Sequence, residues 1–554
     1  MTASPSGTSV RGTVVVLAVV AVALYAPLVG WGLPHATAPE RTKTVATDEI
    51  LPLEGLAEMR STFVSPAPDR NLGYPWWHYF VVSVAQAPYL AVLEFSGGLS
   101  QPSPVYPFGL SDPVKSLRVL TILGRLVSVA MGAGIVVAAF FFSRALWGDA
   151  AGVIAAVLTM LSYPMFYYSR TGNLDVPAFF WSALGFAVLA RILTSGLTTR
   201  RAAWLGCFIA LAAATKDQAA ALFVPLVLVL VWPRFNHPKG RPYQVAPLVA
   251  LLLAGLVAYV IGTGMFIDPH RHMQHVSAIF FNQGQVSDGA IYYPPAPRTW
   301  SGTARLLKDF GLGLAGMMSW PVLIVAAAGV VVAAREAKWQ LIWLVPVAST
   351  FLFVMRVLGL VILRYLLPLT LIVDAFAALA LIRVRRSHPL VSTVLLVVLV
   401  GWRLAVGADL SYAQIHDTRY DAAAWIRTHY RTGEVLEYFS GPDRLPAMDA
   451  EVVSRSIMGR PRVPGEPDRG PAILKYLSAE GPAYVLEMPD WTSRDADYSQ
   501  DCPPEVYAAL MDGSAGYRLV AYFPTPSLLP AGYRRPRLDY PTVAPPVRIF
   551  ARVK

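Results

Sequence analysis

The sequence predicts an all-α polytopic membrane domain followed by a small α/β domain. Three observations carry that expectation. Of the 554 residues, 55% are hydrophobic and only 15% charged, with a mean hydropathy of +0.48; an average soluble domain carries about a quarter charged residues. Apolar runs of about 18 residues or more, enough to cross a hydrocarbon core of roughly 30 Å, recur along the first three quarters of the chain. Beyond residue 409 the runs stop, and Pro, Asp, Glu and Arg become frequent. The expected domains are therefore 1–409 and 410–554.

The first apolar run, "TVVVLAVVAVALYAPLVGW" at 13–31, follows Arg11. It lacks a small-x-small cleavage site and many spans follow, so it reads as a retained first helix and not as a signal peptide. Further spans are expected near 117–146, 150–168, 174–194, 202–215, 217–233, 244–266, 313–334, 339–356, 358–382 and 389–408, about eleven in all. The stretch "HYFVVSVAQAPYLAVLEF" at 78–95 is apolar but interrupted by Gln86 and Pro88, and "YPWW" precedes it. It reads as a helix in or near the membrane interface, where aromatic rings suit the headgroup level.

Orientation follows from the short loops. "TSGLTTRRAA", "PRFNHPKGRPYQ", "REAK" and "RVRRSHP" carry clustered Arg and Lys and all fall on one side, which the positive-inside rule makes the cytoplasm. "LWGDA" falls there too and is nearly neutral. The chain is then expected in the cell membrane with its N-terminus inside and three long segments outside: 32–116, 268–312 and the tail. These loops account for much of the net charge of +11, so it does not imply a nucleic-acid partner. Cys207 lies in an apolar helix and Cys502 in the polar tail, and no disulfide is expected between them.

In the tail, "DTRYDAAAWIRTHY" has helical periodicity, while "GEVLEYF", "PAYVLEM", "YRLVAYF" and "PVRIFARV" read as strands. Helices are expected near 471–479 and 504–512. The tail holds no phosphate-cradling Gly loop and no metal-spaced Cys/His cluster, so support or acceptor binding suits it better than catalysis.

Five polar clusters share the expected outer face: Asp48-Glu49 in "VATDEI"; Arg170 and Asp175 in "SRTGNLD"; Lys216-Asp217 in "TKDQ"; His270, His272 and His275 in "DPHRHMQH"; and Arg356 with Arg364. Charges at a membrane rim are costly, and their default reading is functional. Each has an ordinary reading as well. Asp175, two residues before Pro177, is a natural helix-start carboxylate. Arg170 is placed to pair with it or to reach the headgroups. "TKDQ" is a natural tight turn, and the histidines and Asp48-Glu49 also suit solvated loops. Their co-location on one face is what points to a site.

With "TDEI" in the first outer loop, then "GYPWWHYF", "RTGNLDVPAFF", "ATKDQAA" and "LRYLLPL" in that order, residues 10 to 410 resemble the GT-C class of integral membrane glycosyltransferases. Within it they resemble the dolichyl-phosphate-mannose protein mannosyltransferases and aminoarabinose transferases. The resemblance implies transfer of a sugar from a polyprenyl-phosphate carrier to a protein, glycan or lipid acceptor on the extracytoplasmic side, usually with inversion. Asp48 matches the family's catalytic acid, Asp175 its second acidic position, and Arg364 its late arginine for the lipid phosphate. One stretch departs. Aminoarabinose transferases carry an acid and a lysine beside a Pro-Pro pair, the acid taking part in metal binding; "NLGYPWWHYF" has neither, and one proline.

Inverting attack at an anomeric carbon needs a carboxylate to take the acceptor proton, and fixed cations to meet the departing phosphate. Asp48 is the expected general base, helped by Glu49, with Asp175 orienting Arg170 or binding a metal. Arg170, Lys216 and Arg364 are the expected phosphate partners. His78, His272 and His275 are expected on the sugar. A divalent metal is left open, with Asp175, His272 and His275 as its candidate ligands. The rival reading is a transporter or flippase of a lipid-linked or anionic substrate. Such proteins often show repeated halves and access from both faces, whereas no internal repeat is evident here.

Overall fold

In the computed structural model the described residues are 7–35, 43–64, 74–99, 103, 105–231, 245–280, 295–439, 441, 445–449, 451–459, 468–489, 497–530 and 543–553. The loop "PRFNHPKGRPYQ" lies outside them.

The first helix, α1 (Gly7–Tyr25), is apolar throughout, and α2 (Glu54–Val64) precedes α3 (Trp77–Phe95), the helix expected at the interface. A 35-residue helix, α4 (Pro113–Trp147), spans roughly 52 Å at 1.5 Å per residue, more than a bilayer core. It packs on α1, α5 (Asp149–Met160) and α7 (Asp175–Ser195). Between the last two, α6 (Tyr163–Tyr168) restarts the chain with Pro164 in its first turn, where a missing N–H costs nothing. The expected span 150–168 is thus two short helices. Next come α8 (Thr199–Ala213), α9 (Ala220–Val227), α10 (Val245–Thr263) and α11 (Pro269–Phe280).

The expected span 313–334 is not one continuous helix. The chain instead forms α12 (Trp300–Met318) and α13 (Trp320–Glu336), bent by 107° at Ser319. Ser319 sits at φ 72°, and Pro321 follows in the first turn of α13. Proline removes a helical N–H and clashes with the preceding turn, so one straight helix cannot continue through it. After α14 (Val345–Thr350), a π turn and a left-handed Gly359 lead into the 3₁₀ turn Leu363–Leu366. The last two long helices are α15 (Leu369–Ser387) and α16 (Pro389–Ile415). Among the described residues, six helices are long and apolar enough to span alone, or seven if the bent pair counts as one. The other expected spans are shorter or interrupted pieces.

The tail forms α17 (Thr418–His429), α18 (Gly470–Glu480) and α19 (Pro504–Asp512) around a five-stranded sheet. Its strands are β1 (Val435–Tyr438), β2 (Val453–Ser456), β3 (Tyr484–Glu487), β4 (Tyr517–Phe523) and β5 (Val547–Arg552), in the order β2-β1-β3-β5-β4. β1 pairs in parallel with β2 and β3, and β5 is antiparallel to β3 and β4. The four strands read from sequence are present. The fifth, β2, is "VSRS", half exposed and too polar to show as a run.

Buried Glu487 in β3 accepts from Ser499 N (2.6 Å) and from Arg548 (3.3 Å). Burial pushes its carboxyl pKa up to about 8. The folded sheet therefore binds a proton more tightly than the unfolded chain, and its stability falls as pH rises from about 4.5 to about 8. Amide-exchange protection factors for β3 and β5 in the intact protein, corrected for intrinsic rates, are expected to fall across that window. Glu487→Gln is expected to flatten the dependence.

The sheet domain docks on one end of the helical bundle. Asp417 accepts from Trp31 Nε1 (2.9 Å) and Ala544 N (3.2 Å) while pairing with Arg419 (2.6 Å). Asp409 accepts from Ser527 Oγ (2.7 Å) and Leu528 N (2.6 Å). The C-terminal ends of α1 and α16 thus meet the sheet domain on the same side.

Candidate active site

The loop after α1 carries Asp48-Glu49, and its two acids do different work. Glu49 is buried, and Arg125 of α4 grips it with two 2.7 Å bonds. Thr44 Oγ1 and Gly172 N each donate to it at 2.5 Å. A Cβ at residue 172 would lie 2.9 Å from the Glu49 carboxylate, so the turn can approach only as glycine. Arg125 also donates to Val29 O (2.7 Å) and Trp31 O (2.5 Å). Glu49 therefore fastens the loop to α1, α4 and the turn before α7. Its oxygens are filled, which suits an anchor and not the helper base expected from the sequence.

Asp48 faces the other way. Its backbone is left-handed (φ 54°), and Leu53 in the same loop is too (φ 67°). Such a conformation costs a non-glycine residue energy and persists only when surroundings hold it, here the Glu49 anchor. The Asp48 side chain is 47% exposed and pairs with Arg364, whose own side chain is 12% exposed.

Asp175 opens α7 and binds Lys216 Nζ at 2.7 Å, both side chains being buried. The ammonium lies 4.5 Å from the Tyr365 ring centroid and 5.9 Å from that of Tyr74, within cation–π range. Lys216 also lies within electrostatic reach of Arg364 and Asp48, and Tyr74 feels Arg364, Asp175 and Asp48 together. Asp48, Asp175, Lys216 and Arg364, which the sequence scatters over more than 300 residues, converge with Tyr74 and Tyr365 on one charge-balanced cluster.

Arg170 is not among them. Its guanidinium donates to Ser411 Oγ (2.7 Å), Gln414 Oε1 (3.0 Å) and Leu24 O (2.6 Å), and covers Phe166 at 5.2 Å. It ties α1 to α16, apart from the other candidate cations, and Asp175 pairs with Lys216 and not with Arg170. Closeness in "RTGNLD" misled because a turn can send neighbouring side chains in opposite directions.

On α11, His275 Nε2 lies 3.1 Å from Asp217 Oδ2, beside Lys216 in the chain, and His272 meets Tyr259 edge-on at 5.5 Å. Burial, helped by His275, pushes the His272 pKa down. His78 on α3 is fully buried, and burial pushes its pKa down to about 3, so it stays neutral. For a metal the residues fit poorly. Asp175 is occupied by Lys216 and His275 faces Asp217, and among the described residues no three His, Cys, Asp or Glu side chains gather as ligands.

Residues 79–262, about a third of the chain, match the family model described as dolichyl-phosphate-mannose-protein mannosyltransferase. The chain resembles the GT-C membrane glycosyltransferases. No curated protein matches it. Among solved structures, ArnT from Cupriavidus metallidurans bound to undecaprenyl phosphate is 12% identical, covering 98% of each chain at a TM-score of 0.45. Archaeal oligosaccharyltransferase AglB from Archaeoglobus fulgidus, in complex with an inhibitory peptide and a dolichol-phosphate, is 12% identical. That match covers 86% of this chain and 69% of that one, with a TM-score of 0.41. Arabinofuranosyltransferase AftD from Mycobacteria is 16% identical, covering 100% of this chain and 42% of that one, at 0.40.

Proposed function

We propose that the protein is a membrane glycosyltransferase that moves a sugar from a polyprenyl-phosphate donor to an acceptor on the extracytoplasmic face, with inversion. One observation carries the reading: two acids and two cations from four separate segments meet at the end of the bundle where the sheet domain docks. The match of residues 79–262 to a sugar-transferase family supports it, and the positive-inside rule applied to the basic loops favours an outer position for that end.

The two ion pairs divide the work. Lys216–Asp175 is buried and fixed, a pair with no net charge that holds the Lys216 ammonium in place beside Tyr365. Arg364–Asp48 is half open, and a lipid phosphate can displace the carboxylate from the guanidinium. Arg grips phosphate oxygens in a two-toothed fork and Lys adds a point charge. The exchange releases Asp48 to take the acceptor's proton as the acceptor atom bonds to the anomeric carbon, the bond from that carbon to the phosphate oxygen breaks on the opposite face, and its electron pair leaves with the phosphate. Donor arrival thus unmasks the base. Tyr74 and Tyr365 lie against the Lys216 ammonium, and Asp217, paired with His275, is the next residue in the chain.

The deciding experiment presents purified protein with a panel of radiolabelled polyprenyl-phosphate sugars and membrane extract, and follows the label. Movement of lipid across liposomes without sugar transfer would favour the transporter reading instead. With a donor in hand, Arg364→Lys keeps the charge but loses the fork, and its donor KM is expected to rise about tenfold. An unchanged KM would remove Arg364 from the phosphate site.

A further inference from the structure

Of the arginines buried in the bundle outside that cluster, Arg403 pairs with Asp374 of α15 at 2.7 Å and donates to Met318 O at 3.1 Å, contacts made within the bundle. Arg125 instead joins Glu49 to Trp31, and the contacts of Trp31 lead into the sheet domain.

The loop that carries Asp48 is pinned on both sides of that residue. Downstream, Glu49 is held by Arg125 and Gly172, and Ile50 N donates to Gly172 O at 3.3 Å. Upstream, Val45 N donates to Gly32 O at 3.0 Å, which ties the loop to the segment leaving α1. Gly32 sits at φ 60°, and a side chain there would run into Val45, so only glycine lets the two segments meet.

The upstream anchor leans on the tail. Gly32 N donates to Tyr420 Oη of α17 at 3.0 Å, so one residue touches the sheet domain with its N–H and the Asp48 loop with its carbonyl. Beside it, the buried Trp31 donates its indole N–H to Asp417 (2.9 Å), and the Arg419 guanidinium lies 5.7 Å from the Trp31 ring centroid. Asp417 is itself fixed, accepting from Arg419 N (3.1 Å) at the start of α17 and pairing with the Arg419 side chain. A left-handed Asp48 persists only while its surroundings hold it, and half of that hold runs through residues 31 and 32.

We propose that the sheet domain positions Asp48, and that Tyr420 is the positioning residue: its hydroxyl acts through Gly32 and Val45 to keep the carboxylate within reach of Arg364. That Asp48 is a catalytic base rests on the sugar-transfer reading; the link from Tyr420 to the loop does not. Loss of the hydroxyl leaves the buried Gly32 N–H without its acceptor, a cost the segment relieves by moving toward water. The Val45 bond then weakens.

The test compares Tyr420→Phe with Tyr484→Phe in the full-length protein in nanodiscs. The second variant makes the same chemical change in the same domain, removing a hydroxyl that donates to His429 O (3.1 Å) within the tail. By hydrogen exchange, the 43–50 peptide is expected to open about fivefold more in Tyr420→Phe, the worth of roughly one hydrogen bond. It should be unchanged in Tyr484→Phe. With a donor, the single-turnover rate constant of Tyr420→Phe is expected to fall about tenfold, a fraction of the roughly 10² that an ångström of misplacement can cost. Donor binding should not weaken, because a loosened Asp48 competes less for Arg364. A merely structural hydroxyl would lower the melting temperature and the single-turnover amplitude and leave the rate constant in place. Unchanged exchange at 43–50 would overturn the link. Faster exchange with a wild-type rate constant would overturn the positioning role. Absence of transfer from every donor would bring down the sugar-transfer reading, while the exchange measurement would still decide the link.

Discussion

Asp48→Asn is expected to lower the turnover of sugar transfer by about 10²- to 10⁴-fold, the range a positioned general base supplies, while donor binding is kept or tightened. The second half follows from the ion pair. In the wild-type chain a phosphate competes with the Asp48 carboxylate for Arg364; asparagine keeps the shape and lifts the competition. A residue that merely held the loop would behave differently, because its loss would loosen donor binding and lower the melting temperature together. Single-turnover rates with labelled donor, read beside equilibrium donor binding, separate the two. Wild-type turnover in the variant would take Asp48 out of the mechanism, and the exchange of Arg364 between carboxylate and phosphate with it.

Much of this site was legible because charge is conspicuous against an apolar background. Asp175, Lys216 and Arg364 each stand at the edge of a hydrophobic run and Asp48 in the loop after the first, and loop charges assign them to one face before any coordinates. Which of them touch was not legible. Arg170 and Asp175 are five residues apart and look like partners, yet one joins α16 and the other Lys216. Side-chain direction in a short turn is set by packing that the local sequence does not carry. Arg125, Asp374 and Arg403 were passed over although each interrupts an apolar helix, as in "TILGRLVSV", "LIVDAFAAL" and "VGWRLAV". The rule that flagged the rim charges applies with more force inside the bundle, and it would have found all three. The break at Ser319 had a visible cause in Pro321, hidden by the apolarity on both sides. In the tail, alternating and aromatic strands were readable, while β2 at an edge of the sheet buries too little to leave a pattern.

Glu49 supplies the complementary test, since it neighbours Asp48 yet is built differently. Glu49→Gln leaves the Arg125 guanidinium fully buried without its counter-charge. Removing one partner of a buried ion pair costs about 3–5 kcal/mol, so the variant is expected to melt about 3–6 °C lower in detergent by tryptophan fluorescence. Activity should fall only as far as the folded fraction and the loop's order fall with it. The double variant Glu49→Gln with Arg125→Met removes the stranded charge and should regain part of the lost stability, because an apolar side chain of similar length replaces a buried ion at little cost. A catalytic Glu49 would give the opposite pattern: near-normal melting, abolished turnover and no rescue by the second change. The loop's left-handed residues sharpen the expectation. A segment held in costly backbone conformations by one carboxylate relaxes when that carboxylate is lost, and Asp48 then leaves the reach of Arg364 even in molecules that remain folded.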